Sequence, residues 1–372
     1  MLFCKASHLQ SGSSLTVINL EQRRSQVFTK IWCCIFILLS LVVIRADAGS
    51  PLPQPKYPIN DAHLHYVNFV QETYGIEALI KGMDRYGVGH SMITGVPVVK
   101  KWDADSPVRP VYYLDTDSPA YWYSATDLIV ARAVLSLPEE KRSRLHPLIC
   151  GFNPTDRNAI DHVKLMLEWY PDLWEGIGEV FLRHDDLSAN TYGGGSRADD
   201  IAMDPVYELA AEKDFPVVLH SNAGSSGLRE AIYLPELERA IKKHPKTRFV
   251  WAHAGIARRI DVKGLSDICD RLLSTYDNLY IDLTSHLYDL YLVKNGVLQP
   301  EWIALFEKHP RRFMVGSDVV GHFKERYGER LLRNQVILEA LTPATRERIA
   351  RDNFISILPQ RVQKKIENIA GL

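Results

Sequence analysis

Eight short apolar runs, alternating with seven longer amphipathic stretches, constrain this chain more than any other feature of it. The runs are rich in Val, Ile and Phe and occupy 59–65, 88–94, 147–152, 176–182, 216–221, 247–253, 278–283 and 312–318. Stretches with helical spacing lie between or just beyond them, for example at 75–86, 156–170, 199–213, 235–244 and 258–276. A short apolar run bounded by turn residues reads as a buried strand, and strands that alternate with helices predict a parallel sheet. Eight such units predict an α/β fold, a distorted (β/α)8 barrel, which usually takes about 250 residues plus insertions. The barrel is expected over 59–358, with a C-terminal helical tail at 359–372.

One connection is too long for a plain crossover. About 50 residues separate the second run from the third, and such a length in a compact domain usually carries structure or function of its own. A helical stretch near 119–137 predicts a helical insertion after strand 2. An aromatic cluster lies there: Trp102, Tyr112, Tyr113, Tyr121, Trp122 and Tyr123. It fits packing on the barrel and a lid over a site equally well, because aromatic side chains serve both.

The beginning of the chain reads differently. Residues 31–44 (IWCCIFILLSLVVI) are apolar, preceded by Arg23, Arg24 and Lys30 and followed by Ala46-Asp47-Ala48. That order predicts a signal peptide over 1–48 and an exported protein, periplasmic or secreted. The run is short of the roughly 20 residues that a membrane span needs, which leaves an N-terminal anchor as the lesser alternative. Residues 49–58 (GSPLPQPKYP) read as a Pro-rich linker. Cys4, Cys33 and Cys34 belong to the leader, and Cys150 and Cys269 are too few for a disulfide framework. Both read as small buried apolar residues.

Composition narrows the partners. The chain is 46% hydrophobic and 24% charged with a formal net charge of −1, the balance of a soluble globular protein. It has no global basic field to attract nucleic acid or an anionic membrane. A small-molecule substrate is the expected partner, with homo-oligomerisation left open.

The candidate chemistry starts at DAHLH, 61–65. Side chains alternate along a strand, so His63 and His65 point the same way. Among 13 histidines such a pair proves little alone. Position strengthens it: Glu179 closes GIGE, His220 closes PVVLH, His253 closes FVWAH and Asp318 closes RFMVGSD. Active sites of (β/α)8 barrels lie at the C-terminal ends of the strands. Carboxylates buried there are costly without a partner, and a shared cation supplies one. Imidazole and carboxylate ligands without thiolate suit Zn²⁺, Mn²⁺, Fe²⁺, Co²⁺ or Ni²⁺, with Zn²⁺ the default expectation.

This set resembles the amidohydrolase superfamily, most closely its amidohydrolase-related branch. The matching elements are H-x-H on strand 1 (His63, His65), Glu179 in GIGEV on strand 4, His220 and His253 on strands 5 and 6, and Asp318 in GSD on strand 8. WAHAGIARR and RDNFISIL are also similar to that branch, and the resemblance covers about 57–358. Glutamate on strand 4 departs from members with a carboxylated lysine and is closer to members with Glu, including the TatD-type nucleases. The resemblance implies one or two divalent ions. His63, His65 and Asp318 would hold one, His220 and His253 the other, and Glu179 would bridge. The implied activity is hydrolysis of an ester, lactone, amide or phosphoester by a metal-activated water, with Asp318 and Glu179 as catalytic residues and Asp318 as proton acceptor. The alternative is a mononuclear metal-dependent decarboxylase. A binding protein on the same scaffold would not need Asp318.

Substrate contacts are expected from Asn153, Ser221, Asn222 and Arg259, which follow strands 3, 5 and 6, and from His322 just past Asp318. Arg183, Asp282 and Thr284 are weaker candidates, because strand-end loops are polar in any case. Lys100, Lys101 and Arg109 read as solvated charges. His90, His146, His162, His184, His244, His286 and His309 show no comparable placement.

Overall fold

A computed structural model describes residues 52–102, 107–193, 195–284 and 287–370; the leader expected over 1–48 lies outside the described residues. Eight strands form one all-parallel sheet in chain order. They are β1 (Ile59–Asp61), β2 (Val88–Ile93), β3 (Leu145–Ile149), β4 (Gly176–Phe181), β5 (Pro216–His220), β6 (Arg248–Trp251), β7 (Leu279–Leu283) and β8 (Phe313–Val315). The first and last strands meet: Ala62 N–H donates to the Val315 carbonyl at 3.0 Å, and Leu64–His65 pairs in parallel with Val319–Val320. The result is a distorted (β/α)8 barrel, as the alternation predicts.

The helices follow from apolar spacing. In α1 (Ile76–Tyr86), the buried residues include Ile76, Leu79, Ile80, Met83 and Tyr86, one face of a 3.6-residue period. It ends at Gly87, whose left-handed φ of 67° suits a residue without Cβ. After the insertion helix α2 (Ala125–Leu135) come α3 (Ala159–Trp169), α4 (Asp204–Glu212), α5 (Leu234–Lys243), α6 (Leu265–Thr275), α7 (Pro300–Lys308) and α8 (Glu325–Glu339). Two expected helices are shorter than their patterns. The stretch 199–213 is helical only from Asp204, and 258–276 only from Leu265, the intervening residues being loop over the strand ends.

Alternation along the strands layers the barrel interior. Met92, Leu148, Val218, Val250 and Met314 meet in one buried cluster with Phe354, Ile357, Leu358 and Val362. The last comes from α9 (Gln360–Ala370), so the C-terminal tail closes the lower end of the barrel. Burying each such side chain contributes roughly 1.5–3 kcal/mol. Two residues further along, at the opposite end, His220 on β5 and Asp282 on β7 follow the inward Val218 and Tyr280.

The insertion begins as a two-stranded excursion, Val98–Lys100 antiparallel to Ala120–Trp122, and then runs into α2. Lys100 is not the solvated charge its composition implied. It is 2% exposed, and its Nζ donates to the carbonyls of Tyr113 at 3.0 Å, Thr116 at 2.6 Å and Ser118. Cys150 and Cys269 are buried and free, as expected.

Candidate active site

The six candidate ligands stand at or just beyond the strand ends. His63 and His65 follow a break in the first strand after Asp61, whose buried carboxylate ties His63 to the end of the last strand. Asp61 Oδ1 accepts the N–H groups of His63 and Ser317, at 3.2 and 2.8 Å, and Oδ2 accepts the Ser317 hydroxyl at 2.7 Å. Burial pushes the Asp61 carboxyl up to about 6. His253 lies past β6 in a 3-10 turn, and Asp318 lies past β8; their φ values are 54° and 48°. Such left-handed non-glycine residues cost energy and cluster at functional sites.

Glu179 is set by its neighbours. Gly178 has φ 126°, and a Cβ there would lie 2.5 Å from the Val218 carbonyl oxygen, so only glycine lets β4 approach β5 this closely. The Thr94 hydroxyl donates to the Gly178 carbonyl at 2.5 Å and accepts the Glu179 N–H at 3.1 Å.

These placements bring the six side chains together. Glu179 Oε2 lies 3.1 Å from His65 Nε2 and 3.4 Å from His63 Nε2. Its other oxygen, Oε1, lies 2.8 Å from His220 Nδ1 and 3.6 Å from His253 Nε2. Asp318 Oδ1 is 3.9 Å from His63 Nε2 and 3.8 Å from His65 Nε2, and Oδ2 is 3.9 Å from His253 Nε2. The clusters His63–His65–Asp318 and Glu179–His220–His253 each have ligand atoms within 4.8 Å of one another, as does His63–His253–Asp282. Overlapping clusters of this kind form one or two divalent-metal sites.

Hydrogen bonds on the far side of the rings aim the ring nitrogens. His63 Nδ1 is 3.0 Å from Asp282 Oδ2, and His65 Nδ1 donates to the Gly95 carbonyl at 2.8 Å. His253 Nδ1 meets the Thr284 hydroxyl, which itself donates to Asp282 Oδ1 at 2.7 Å. Fixing Nδ1 in this way aims each Nε2 at the cluster, the arrangement that metal-ligating histidines use.

The electrostatics fit a cation. Glu179 and Asp282 are 2% and 0% exposed. Burial opposes charge on His63, but the Glu179 and Asp282 carboxylates outweigh it and hold the ring well above its ordinary value. The same contest, decided by Asp318 and Asp282, lifts His253 to about 10. Burial works against the Glu179 charge too, yet His63 and His220 hold it well below the usual carboxylate range. Protons on the histidines thus balance the buried carboxylates, and a divalent ion can take over that role by displacing them.

The cluster opens into a cavity of about 70 Å³ whose wall includes Phe69, Tyr112, Tyr113, Phe181, His184 and Arg258. Tyr112 and Tyr113 come from the insertion, so part of its aromatic cluster lines the site. Trp102 and Tyr121 remain exposed, at 52% and 38%.

Among the expected substrate contacts the structure divides. His322 lines the outer part of the mouth, edge-on to Tyr74. Asn153 accepts the N–H and hydroxyl of Thr155 within its own loop. Ser221 and Asn222 are buried, at 1% each, away from the lining. Arg259 turns away to pair with Asp186, while its neighbour Arg258 faces the cavity. Arg183 pairs with Glu236 at 2.7 Å. Lys101 is exposed, and Arg109 is an exposed partner of Glu72.

Of three further contributors, Asp282 was underweighted by the sequence reading, and His184 and Arg258 escaped it. Asp282 is a central orienting group rather than a loop hydrogen bond; its place two residues after inward Tyr280 was the available signal. His184 stacks on His220 at 4.2 Å and 14° and lines the cavity. Arg258 had no signal that separated it from Arg259. Of the remaining histidines, His162, His244 and His309 pair with Asp127, Asp204 and Asp270, and His286 lies outside the described residues.

Similarity to a known family extends over most of the chain. The amidohydrolase family model matches residues 61–358. A Staphylococcus aureus structure provisionally assigned as an amidohydrolase superposes with TM-score 0.51 at 14% identity, covering 81% of this chain and 99% of that one. An uncharacterised TIM-barrel protein from Bordetella bronchiseptica gives 0.49 at 13%, covering 81% and 98%. A Campylobacter jejuni dihydroorotase gives 0.47 at 18%, covering 82% and 83%. No curated protein matches the chain. With the family model spanning most of its length and a metal-binding cluster at the strand ends of its barrel, the chain belongs to the amidohydrolase family.

Proposed function

We propose that this chain is a metal-dependent hydrolase that uses water to cleave an ester, lactone, amide or phosphoester in a small molecule. The observation that carries the reading is the position of Glu179. One of its oxygens faces His63 and His65, the other His220 and His253. A carboxylate that serves two sets of imidazoles is what a pair of ions needs as a bridge. His63, His65 and Asp318 would hold one ion and His220 and His253 the other, most simply Zn²⁺ on this ligand set.

The bound metal would polarise the scissile bond and lower the pKa of the attacking water. The rest is the work of the chain. Both Glu179 and Asp318 line the cavity, and the Asp318 side chain is the more open, 16% exposed against 2%. Three imidazoles near it keep it ionised against the effect of burial. Asp318 would take the proton of the attacking water and return it to the leaving group. Phe69, Phe181 and Tyr113 wall the cavity and limit bulk water. Of the earlier substrate-contact candidates, His322 keeps that proposed role at the rim.

One observation favours the mononuclear lyase reading. His220 Nδ1 sits 2.8 Å from Glu179 Oε1, a hydrogen bond that would occupy both groups if it persists with metal bound. Elemental analysis of metal-loaded protein decides: two equivalents support the hydrolase, one supports the decarboxylase. A screen of esters, lactones, amides and phosphoesters with the same protein tests the reaction, and release of CO2 without any hydrolysis would overturn the proposal.

We also propose that 1–48 directs export. N-terminal sequencing of the exported protein checks this: a start near Gly49 supports cleavage, whereas a start near Met1 in a membrane fraction supports the anchor.

A further inference from the structure

We propose that this site takes esters or amides of a very short acyl group, formyl or acetyl, and that Tyr113 sets the limit. The inference rests on the reading of the His63–Asp318 cluster as a hydrolytic centre and names its substrate class. The space over the cluster is divided in two. An inner cavity of about 70 Å³ is walled by Tyr113, Phe181 and Ala257 together with the cluster itself, and an outer one of about 330 Å³ adjoins it. Phe69, Tyr112 and Arg258 belong to both and stand where the two meet.

Asp318 gives this division a direction. It lines both cavities, whereas Glu179, His220 and His253 line the inner one. In the hydrolysis the water oxygen bonds to the carbonyl carbon, and the bond from that carbon to the leaving oxygen or nitrogen breaks. The proton taken from the water passes through Asp318 to the leaving atom. The leaving group therefore lies on the Asp318 side and has the outer cavity to occupy, and the acyl group is left with the inner one. A dry cavity of about 150 Å³ holds benzene, with its six heavy atoms. By that measure about 70 Å³ holds roughly three, the carbonyl carbon, its oxygen and one methyl.

The wall is fixed in place. Tyr113 and Phe181 are buried, at 3% and 5% exposure. The Tyr113 ring packs on Phe69 with centroids 4.9 Å apart, and Lys100 Nζ donates to the Tyr113 carbonyl at 3.0 Å. The Phe181 ring lies 6.0 Å from that of His220 and 6.2 Å from that of His65. Each further methylene on the acyl chain has to displace one of these rings, and one methylene in a close-fitting pocket is worth about 10- to 200-fold in kcat/KM.

Metal-loaded protein is assayed with benzyl acetate, propionate, butyrate and hexanoate. The kcat/KM should fall by about tenfold or more at each of the first two added methylenes. Methyl phenylacetate, an isomer of benzyl acetate with the two flanks exchanged, should be cleaved about tenfold or more slowly. The N-methylamide of phenylacetic acid should stand in the same relation to N-benzylacetamide. Tyr113→Ala removes the ring and keeps the carbonyl that Lys100 binds, so the butyrate-to-acetate ratio should rise by about tenfold or more. Ala257→Val narrows the same cavity and should depress benzyl acetate relative to benzyl formate. Wild-type protein that takes butyrate as well as acetate, or methyl phenylacetate as well as benzyl acetate, overturns the proposal, as does a ratio that neither variant moves. Metal-replete protein that cleaves no acetyl ester or amide also overturns it; the hydrolase reading falls with it only if the wider screen of esters, lactones, amides and phosphoesters is blank as well. Metal content is measured on the same samples, and protein that takes up no metal sinks both.

Discussion

Asp282 Oδ2 stands 3.0 Å from His63 Nδ1, while the other oxygen of the same carboxylate accepts the backbone N–H of His253 at 3.0 Å. One fully buried side chain on β7 thereby orients two histidines, one past β1 and one past β6. The charge of Asp282 is itself held against burial by those histidines, so the three groups form one coupled unit.

Asp282→Asn tests that unit. The amide keeps one acceptor but presents N–H to His63 Nδ1, which forces the other tautomer and turns a donor toward the metal cluster. Metal affinity should fall by about 10- to 100-fold, the usual effect of removing an orienting partner. Chelator competition on folded protein measures it. Wild-type affinity in the variant would show that Asp282 is only a structural acid.

Lys100 governs the insertion. Its ammonium is buried, its pKa is depressed by that burial, and it donates to three carbonyls of the loop that carries Tyr112 and Tyr113 to the cavity. Lys100→Met fills the same space but leaves those carbonyls without their donor, at about 1–3 kcal/mol for each that stays buried. Limited proteolysis within 101–119 should accelerate several-fold while metal content stays unchanged. Cleavage at the wild-type rate would mean that the loop is held by its aromatic contacts alone.

How much of this was legible beforehand depends on what kind of signal each residue leaves. The barrel follows from apolar periodicity, because a parallel strand buried on both faces reads as a continuous run. The six ligand candidates follow from the ends of those runs. His253 and Asp318 nevertheless stand beyond β6 and β8, on left-handed residues that periodicity cannot foresee. Asp282 was underweighted because a carboxylate that orients ligands looks, in one dimension, like any polar strand end. Lys100 and Arg259 were misjudged for a different reason. The direction of a long side chain on a loop is set by contacts distant in sequence, here the carbonyls of 113–118 and Asp186.

At the lower end of the barrel, His90 Nδ1 is 3.0 Å from His146 Nε2, and His146 Nδ1 is 2.5 Å from Glu175 Oε2. Burial, with His146 and Arg144 nearby, lowers His90 from 6.5 to about 3. A histidine depressed in the folded state binds a proton more readily when unfolded. The stability it contributes is therefore complete above pH 6.5 and is lost as pH falls toward 3. His90→Gln should flatten that part of the profile: the drop in Tm between pH 7 and pH 5 should shrink by about 2 °C or more, near what 1 kcal/mol shifts in a large domain. Thermal denaturation of both proteins at the two pH values is the check. An unchanged difference would place the acid sensitivity elsewhere.

The last prediction separates holding a metal from moving a proton. Asp318→Asn preserves size and one oxygen near His63, His65 and His253, but the amide cannot accept the proton of the attacking water. If Asp318 is the proton acceptor, the variant should keep most of its metal and most of its substrate affinity. Its turnover should drop by about 10²–10⁴, the worth of a positioned acid–base group. His63→Ala removes an imidazole whose Nε2 lies 3.3 Å from that of His65, and metal and activity should disappear together. Glu179→Gln should lower metal content from two equivalents toward one if Glu179 bridges. The decisive contrast is metal content at matched folding, measured beside kcat in the same preparations. Near-normal turnover in metal-replete Asp318→Asn would falsify the proton-transfer role and leave Asp318 as a ligand alone.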